Sequence, residues 1–389
     1  MFILEGPYIS DFIEDTLIKN RFKVIDTSFL KTRAKYFDFN LISESEAIHQ
    51  LENNNDSLYS NSENAIDWVE QHLQLTKYPA FISLFKDKTK FREVISSLYP
   101  AFYYKKVQFN ALQNLDVHTI PFPVVLKPAV GFFSLGVYTI ESPDEWDVAI
   151  EKLTNELQTI QKLYPKSVVN TETFLIESYI SGKEYAVDCY FNETGEAVIL
   201  NILEHQFSSN KDVSDRLYFT SQEIIRKLHT KTLEFLNELS ELTGIKNFPL
   251  HLEMRVTING EIIPIEGNPM RFGGWCTTAD LAFYAFGFNA YEMYQQQQKP
   301  DWNAIFNKMS DDLFSLIILD NSTGFKAEAI KSFDYERLLA SFEKPLELRK
   351  VDVNEYPLFG YLYTQTPKNK FDELAGMLHN TLEDYIELK

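Results

Sequence analysis

The chain has 389 residues, of which 44% are hydrophobic and 14% aromatic, so it can form a core, and the composition argues against global disorder. Lysine and arginine number 37 against 56 aspartate and glutamate, a net charge of −19. This charge argues against a general binder of nucleic acid or of anionic membranes, although a local basic pocket for phosphate is compatible with it. The length exceeds that of one compact core, and we expect two or three domains around a cleft.

The N-terminus and the cysteines indicate the compartment. The sequence MFILEGPYISDF has no basic region followed by a long apolar stretch, so no signal peptide is expected. No apolar run reaches the length of a transmembrane helix. Cys189 and Cys276 can form one disulfide or remain two buried thiols in a reducing compartment, and the second alternative is favoured. We therefore expect a cytoplasmic protein.

The spacing of apolar residues predicts a small βαβ-like start followed by further strands and helices. No G-x-G-x-x-G follows the first strand, so the dinucleotide fingerprint is absent. Strands are predicted at 2–4, 22–25, 174–176, 184–191, 196–203, 314–319, 346–351 and 359–363. Helices are predicted at 9–20, from Ser62, from Lys86 to near Pro100, at 144–164, 222–243 and 277–294, and from Lys370. The polar stretch 204–221 is predicted to be a long loop, and such loops are often functional.

The segment PFPVVLKPAVGFFSLGVYTI predicts two apolar strands joined by a loop. Lys127 stands at the end of the first strand, where a buried strand prefers an apolar residue. The loop contains Gly131, Ser134 and Gly136, small residues that allow the backbone to close over phosphate groups. It is not a Walker A motif. The alternative is an ordinary hairpin turn that contains glycine.

Charged residues also border a helix and two predicted strands. Lys88, near the start of a basic helix, is by itself expected to be a solvated side chain. Glu177 follows one strand and Glu184 begins the next. A strand edge bordered by apolar side chains can bind adenine, and Glu184 could accept hydrogen bonds from ribose hydroxyls. Exposed loop carboxylates are the alternative for both glutamates.

The segment PLHLEMRVTINGEIIPIEGNPMRFGG predicts a hairpin whose tip is a two-residue type I′ turn at Asn259-Gly260. With that turn, residues whose numbers add up to 519 are paired: Glu253 with Glu266, Arg255 with Pro264, and His251 with Asn268. Two carboxylates placed directly opposite each other repel. A divalent cation between Glu253 and Glu266 would remove the repulsion, and with Asn268 and phosphate oxygens the site would suit Mg²⁺. A solvated polar face on an edge hairpin is the alternative.

Four segments in this order resemble the motifs of the ATP-grasp superfamily over about half of the chain: DKTKF, PVVLKPAVGFFSLGV, FLIESYISGKEYAVD and HLEMRVTINGEIIPIEGNPMRFGG. The resemblance implies an α/β and α+β fold in which two α+β subdomains grip ATP, preceded by a small Rossmann-like domain. The implied domains are a Rossmann-like domain at 1–85, an ATP-grasp domain at 86–298 with a nucleotide lobe at 86–172 and a hinge and metal lobe at 173–298, and a C-terminal α+β section at 299–389.

The resemblance also implies roles for single residues. The implied nucleotide-binding residues are Lys88 and Lys127 for the phosphates, Gly131, Ser134 and Gly136 for the covering loop, Glu177, Tyr179 and Ile180 for adenine, and Glu184 for ribose. The implied ligands of one or two Mg²⁺ ions, with Mn²⁺ as an alternative, are Glu253, Glu266 and Asn268.

Arg271 would face the transferred phosphoryl group or the reacting carboxylate. The family often has Asn-Pro-Arg here, whereas this chain has Asn268-Pro269-Met270-Arg271. If the extra residue turns Arg271 away, Arg255 becomes the better catalytic candidate. As an alternative, Arg255 simply neutralises the two glutamates.

The chemistry that the resemblance implies is activation of a small carboxylate as an acyl phosphate, followed by attack of an amine, with an amino acid or peptide expected among the substrates. Positioning and charge neutralisation carry most of such catalysis. The alternatives are an ATP-grasp kinase or another phosphate-activating enzyme, and a nucleotide-binding regulatory protein without turnover. Small molecules are the expected partners, with no nucleic acid and no membrane, and a homodimer is left open.

Overall fold

The structure is a computed structural model. It describes residues 1–53, 56–131, 135–163, 172–209, 212 and 214–389, with the backbone alone at 158–163. Within these residues the strands form four sheets. None of the helices in this part of the chain combines the length and the apolar character that a membrane span requires.

The N-terminal part is a parallel sheet with helices, as the βαβ-like pattern predicted. Its strands are β1 (Phe2–Ile3), β2 (Lys23–Ile25), β3 (Asn40–Ile42) and β4 (Tyr59–Ser60), in the order β3-β2-β1-β4. Its helices are α1 (Asp11–Lys19) and α2 (Glu44–Asn53). Ser10 caps α1 by accepting a hydrogen bond from the Ile13 N–H, which satisfies one of the free donors of the first turn.

Three helices lead from this sheet towards the rest of the molecule: α3 (Ile66–His72), α4 (Tyr78–Lys86) and α5 (Lys88–Ile95). Ser62 caps a short 3₁₀ turn that precedes α3, close to the predicted helix start. Asp87 caps α5 through the N–H groups of the second and third helical residues. Because Asp87 is the cap, Lys88 is the first residue of α5. The helix ends at Ile95, before the predicted end near Pro100.

A small antiparallel sheet follows. It contains β5 (Tyr104–Gln108), β6 (Val124–Pro128), β7 (Tyr138–Ile140) and β8 (Thr173–Ser178), in the order β5-β8-β6-β7. Helix α6 (Trp146–Leu163) belongs to the same subdomain. Buried apolar side chains of residues 107–176 form their own core, separate from the core shared by residues 1–95 and 185–386. The small subdomain is therefore a distinct layer.

The largest sheet is antiparallel and extends to the C-terminal part of the chain. Its strands are β9 (Lys183–Phe191), β10 (Ala197–Gln206), β11 (Leu217–Thr220), β12 (Phe248–Val256), β13 (Ile262–Pro269), β14 (Leu313–Asp320), β16 (Pro345–Lys350) and β17 (Leu358–Thr366). Their order is β13-β12-β9-β10-β11-β14-β17-β16. Strands from both sides of the predicted boundary at residue 299 thus share one sheet, and the domain limits stay a prediction.

Further helices and a short strand pair accompany this sheet. The helices are α7 (Gln222–Thr243), α8 (Thr277–Phe286), α9 (Ala290–Gln295), α10 (Trp302–Phe306), α11 (Tyr335–Leu339) and α12 (Asp372–Leu378); β15 (Ile330–Phe333) pairs with β18 (Ile386–Leu388). The single helix predicted at 277–294 is wrong. Gly287 ends α8 with a φ of 76°, a left-handed conformation that glycine adopts without a steric penalty. Asn289 then caps a second helix, α9.

The predicted carboxylate pairing in the hairpin is confirmed. Glu253 of β12 is directly opposite Glu266 of β13, and His251 is opposite Asn268. Cross-strand partners point to the same face of a sheet. The four side chains therefore lie on one face, as the alternation predicted.

The predicted two-residue turn is wrong. The Gly260 N–H donates to the Thr257 carbonyl at 2.8 Å, and Gly260 has a φ of 75°, which indicates a longer hairpin loop with one glycine in the left-handed region. A one-residue irregularity compensates further along, so Arg255 is opposite Ile263 and not Pro264. Pro264 lies beside this irregularity, where a missing N–H is tolerated.

Candidate functional site

Polar side chains cross one face of the large sheet on four neighbouring strands. Register places them in three rows: Asp188, His251 and Asn268; Glu253 and Glu266; and His205, Glu184 and Arg255. Helix α5 contacts both β13 and β8, so it lies between this face and the small subdomain. The large sheet thus provides most of the carboxylates, and α5 and β6 provide facing cations.

The two central carboxylates have different partners. Lys88 Nζ lies 2.7 Å from Glu266 Oε2, and Asn268 Nδ2 donates to Glu253 Oε1 at 3.1 Å. Burial and the charge of Glu266 raise the pKa of Glu253 well above its ordinary range. Burial alone would also raise the pKa of Glu266, but Lys88 and Lys127 lower it. Lys88 therefore compensates one carboxylate, and a proton or a bound cation is needed to compensate the other.

A buried ionic triad links α5 to the small subdomain. Glu177 Oε1 lies 2.6 Å from Lys127 Nζ, and Glu177 Oε2 lies 2.9 Å from Arg92 Nε. Burial would raise the pKa of Glu177, but the two cations lower it. Lys127, Glu177 and Arg92 are only 4%, 2% and 1% exposed, respectively. Two cations and one anion leave one excess positive charge, which favours an anionic ligand.

Arg92 was not among the residues predicted from the sequence. It follows Lys88 by four positions in α5, and residues at this spacing share one face of a helix. Its guanidinium also donates to the Pro264 carbonyl at 2.8 Å. The helical spacing was therefore the signal that could have identified it.

The predicted phosphate loop is only partly described. Lys88 Nζ donates to the Gly131 carbonyl at 3.4 Å, so the start of the loop lies beside the lysine. The Gly136 N–H donates to Glu156 Oε1 at 3.1 Å, and Gly136 has a φ of 71°. In this structure Gly136 therefore forms a turn anchored to α6. Ser134 lies outside the described residues.

The predicted adenine-binding stretch lies at the link between the two sheets. The Tyr179 N–H donates to the Pro123 carbonyl at 3.0 Å. The Ile180 carbonyl accepts a hydrogen bond from Arg255 Nη1 at 2.8 Å. The guanidinium of Arg255 also lies over the Tyr179 ring, 5.3 Å from its centroid. Arg255 thus contacts the connection between the lobes.

Both carboxylate oxygens of Glu184 have partners. Oε2 lies 3.0 Å from Arg255 Nε, and Oε1 lies 3.1 Å from His205 Nδ1. Burial would raise the pKa of Glu184, but His205 and Arg255 lower it. His205 is held in turn by the Ser214 carbonyl, 3.0 Å from Nε2. The sequence did not single out His205, although it lies at the start of the predicted functional loop.

Arg271 extends towards the N-terminal part of the chain. Its Nη2 lies 2.9 Å from Glu63 Oε1, and Lys86 Nζ lies 2.5 Å from Glu63 Oε2. The sequence reasoning missed both Glu63 and Lys86. The contact brings together residues 208 positions apart, and no local pattern indicates it.

A buried pair supports the turn that follows β13. His251 Nδ1 lies 2.7 Å from Asp188 Oδ1, and the Gly273 N–H donates to the same oxygen at 2.9 Å. A Cβ on Gly273 would lie 2.3 Å from His251 Cε1. Glycine is therefore required for this close approach, and Asp188 holds β9, β12 and the turn together.

Residues 120–279 match a family model described as the ATP-grasp domain. This range contains Lys127, Glu177 and both hairpin glutamates, whereas Lys88 and Glu63 precede it. No curated protein sequence matches the chain.

Solved structures with this architecture include three with TM-scores of about 0.6. The L-amino acid ligase from Bacillus licheniformis is 16% identical, with a TM-score of 0.66 over 100% of this chain and 98% of that chain. The N5-carboxyaminoimidazole ribonucleotide synthetase from Thermotoga maritima is 17% identical, with a TM-score of 0.64 and the same coverage. The 2-oxoglutarate carboxylase biotin carboxylase domain from Hydrogenobacter thermophilus, a complex with MgADP, is 12% identical, with a TM-score of 0.59 over 100% and 90%. The chain therefore carries an ATP-grasp domain and has the ATP-grasp fold.

Proposed function

We propose that this protein is an ATP- and Mg²⁺-dependent ligase that joins a small carboxylic acid to an amine and releases ADP and phosphate. The observation that carries the proposal is the pair of opposed carboxylates Glu253 and Glu266, with Lys88 Nζ 2.7 Å from Glu266 and the charges of Lys88 and Lys127 lowering the pKa of Glu266 against its burial. The lysine ammonium groups can bind phosphates and the carboxylates can bind a metal ion, a combination that suits a metal-bound nucleoside triphosphate.

The residues present fit a magnesium site. Glu253, Glu266 and the Asn268 amide supply oxygen donors from two neighbouring strands, and Mg²⁺ is commonly held by one or two carboxylates together with substrate phosphates. The raised pKa of Glu253 is consistent with a carboxylate whose compensating charge comes from a ligand. When bound, Mg²⁺ neutralises charge on the phosphates.

In the proposed reaction a carboxylate oxygen of the acid attacks the γ-phosphorus of ATP, and ADP leaves with the electrons of the broken P–O bond. The amine then attacks the acyl carbon, phosphate leaves, and the nitrogen loses a proton. Lys88 and Lys127 bind phosphate oxygens and hold them in line, which is the main requirement of phosphoryl transfer. Arg271 balances the negative charge that develops on the reacting groups.

Arg255 has a different place in the proposal. Its guanidinium is already bound to Glu184 and to the Ile180 carbonyl, at the stretch proposed to hold adenine and ribose. We therefore assign Arg255 to positioning of the nucleotide-binding stretch, and Arg271 to the reacting groups.

A protein of the same fold supports the proposed class of amine substrate. One is an L-amino acid ligase, and we extend its substrate class to this chain as an amino acid or peptide. Cys189 and Cys276 are both free and buried, which fits the cytoplasmic location proposed from the sequence.

The test is a screen of carboxylate and amine pairs for ADP release, with mass spectrometry of the product. We expect ADP release that needs both substrates, and a product whose mass is the sum of the two minus water. Glu266→Gln should abolish turnover with an unchanged circular dichroism spectrum, whereas Glu261→Gln, in the exposed tip of the same hairpin, should retain it. A phosphorylated product would instead identify a kinase, and ATP binding without any turnover would identify a nucleotide-binding regulatory protein.

A further inference from the structure

The N-terminal sheet docks directly on the segment that follows β13. The Ser60 N–H, in β4, donates to the Met270 carbonyl at 2.8 Å, and the Met270 N–H donates to the Pro249 carbonyl at 3.0 Å. The Phe272 N–H donates to the Tyr59 hydroxyl at 3.3 Å. Two residues of β4 therefore fix the backbone on both sides of Arg271.

Met270 has an unusual conformation at this contact. Its φ is 66°, and only a few per cent of non-glycine residues have a positive φ. The side chain is nevertheless 1% exposed, so burial holds the residue in place. Met270 is the extra residue between Asn268 and Arg271, and the backbone reversal that it makes precedes the arginine directly.

Glu63, from the N-terminal part of the chain, binds the guanidinium of Arg271. It lies in the 3₁₀ turn that follows β4, which Ser62 caps through the Asn64 N–H. Its two carboxylate oxygens are bound separately, one by Arg271 and one by Lys86. Burial alone would raise the pKa of the Glu63 carboxyl, but the two cations lower it to about 2. Glu63 is therefore an anion at neutral pH and bridges two cations.

The same charges reach the metal and phosphate side of the site. Lys86 and Lys88 lie at the junction of α4 and α5, and Glu63 contributes to the electrostatic environment of Lys88. Burial lowers the pKa of Arg271, but nearby negative charges, Glu63 first and Glu253 among the others, raise it. The carboxylate of Glu63 thus belongs to the charge network of the proposed ligase site, although it comes from the N-terminal sheet.

We propose that Glu63 is a positioning residue of the active site: it holds Arg271 in the orientation in which the guanidinium meets the reacting groups. The proposal rests on the proposed function for the reaction in which Arg271 takes part. Glu63 binds Nη2 of Arg271, and Nη1 donates to the adjacent Phe272 carbonyl at 3.1 Å. A guanidinium held in this way keeps its remaining donors pre-organised, and small losses of orientation are costly in catalysis. The N-terminal domain is then a part of the active site.

The test is a double-mutant cycle on turnover with Glu63→Gln, Arg271→Met and the combined variant. We expect Glu63→Gln to lower kcat by about tenfold or more, with the KM for ATP changed by less than about twofold. In the combined variant the loss should equal that of Arg271→Met alone, because Glu63 acts through the arginine. Losses that multiply, or a wild-type kcat in Glu63→Gln, would overturn the proposal.

Two controls separate positioning from folding. Glu63→Asp keeps the charge and should recover part of the lost kcat, whereas Glu70→Gln, an exposed change in the neighbouring α3, should leave kcat unchanged. Urea unfolding of each variant establishes that the protein compared is folded.

A second measurement does not depend on the reaction. Phenylglyoxal modifies accessible arginines, and peptide mass spectrometry can follow Arg271 alone. We expect faster modification of Arg271 in Glu63→Gln than in the wild type and in Glu70→Gln; an unchanged rate would overturn the proposal. If the wild type shows no carboxylate- and amine-dependent ADP release, the ligase function fails, and this modification rate still decides whether Glu63 holds Arg271.

Discussion

Replacing Lys127 with methionine tests the proposed nucleotide site most directly. Lys127, Glu177 and Arg92 together carry one excess positive charge, and all three are almost fully buried. Methionine keeps the apolar stem of lysine but removes the ammonium group, so the excess charge disappears while Glu177 keeps Arg92 as its partner. We therefore expect loss of ATP affinity with a folded protein.

The magnitude follows from the type of contact. A hydrogen bond to a charged group contributes about 1.5–3 kcal/mol, which corresponds to a roughly 10- to 150-fold rise in the Kd for ATP. Isothermal titration calorimetry with Mg²⁺ at constant ionic strength measures this Kd. Lys106→Met, an exposed change in β5 of the same subdomain, is the matched control and should bind ATP as the wild type does, because its charge is screened by solvent.

An unchanged Kd in Lys127→Met would refute the proposed phosphate contact, because removing a buried ammonium that bound the phosphates would weaken ATP binding. Equal losses in both variants would also refute it, since the effect would then come from the overall charge. Only a loss confined to Lys127→Met supports the phosphate contact.

Three further predictions concern stability. Glu177→Gln leaves two buried cations without their anion, and should lower the free energy of unfolding by about 3–5 kcal/mol, measured by urea denaturation. Gly273→Ala places a methyl group against the His251 ring and should cost about 1–3 kcal/mol, whereas Gly376→Ala, which meets no atom within 4 Å in its helix, should be neutral or stabilising. The pKa of the Glu63 carboxyl is lowered from 4.5 to about 2, so its ion pairs contribute to the free energy of unfolding above pH 4.5, and this contribution is lost as the pH falls towards 2. The difference in the free energy of unfolding between the wild type and Glu63→Gln should therefore shrink over that interval. A constant difference would contradict the ion pairs.

Local patterns in the sequence were sufficient for much of the fold and for the centre of the site. Alternation on either side of Asn259-Gly260 predicted that Glu253 and Glu266 lie on one face of a hairpin, because side-chain alternation is local; their direct pairing agrees with the prediction because the irregularity beyond the loop offsets the extra loop residue. The same pattern could not decide the turn type: a one-residue irregularity near Pro264 corrected the register before it reached the glutamates.

The partners of the charged side chains were decided by the tertiary structure. Glu177 meets Arg92 across 85 residues, His251 meets Asp188 across 63, and Arg271 meets Glu63 across 208. The sequence by itself determined which residues can carry charge and which strands present them, because side-chain alternation is a local property of the backbone. The partner of each charged side chain depends on how separate layers of the structure pack together. Once buried, each charge needs such a partner, since a buried charge without one is strongly destabilising.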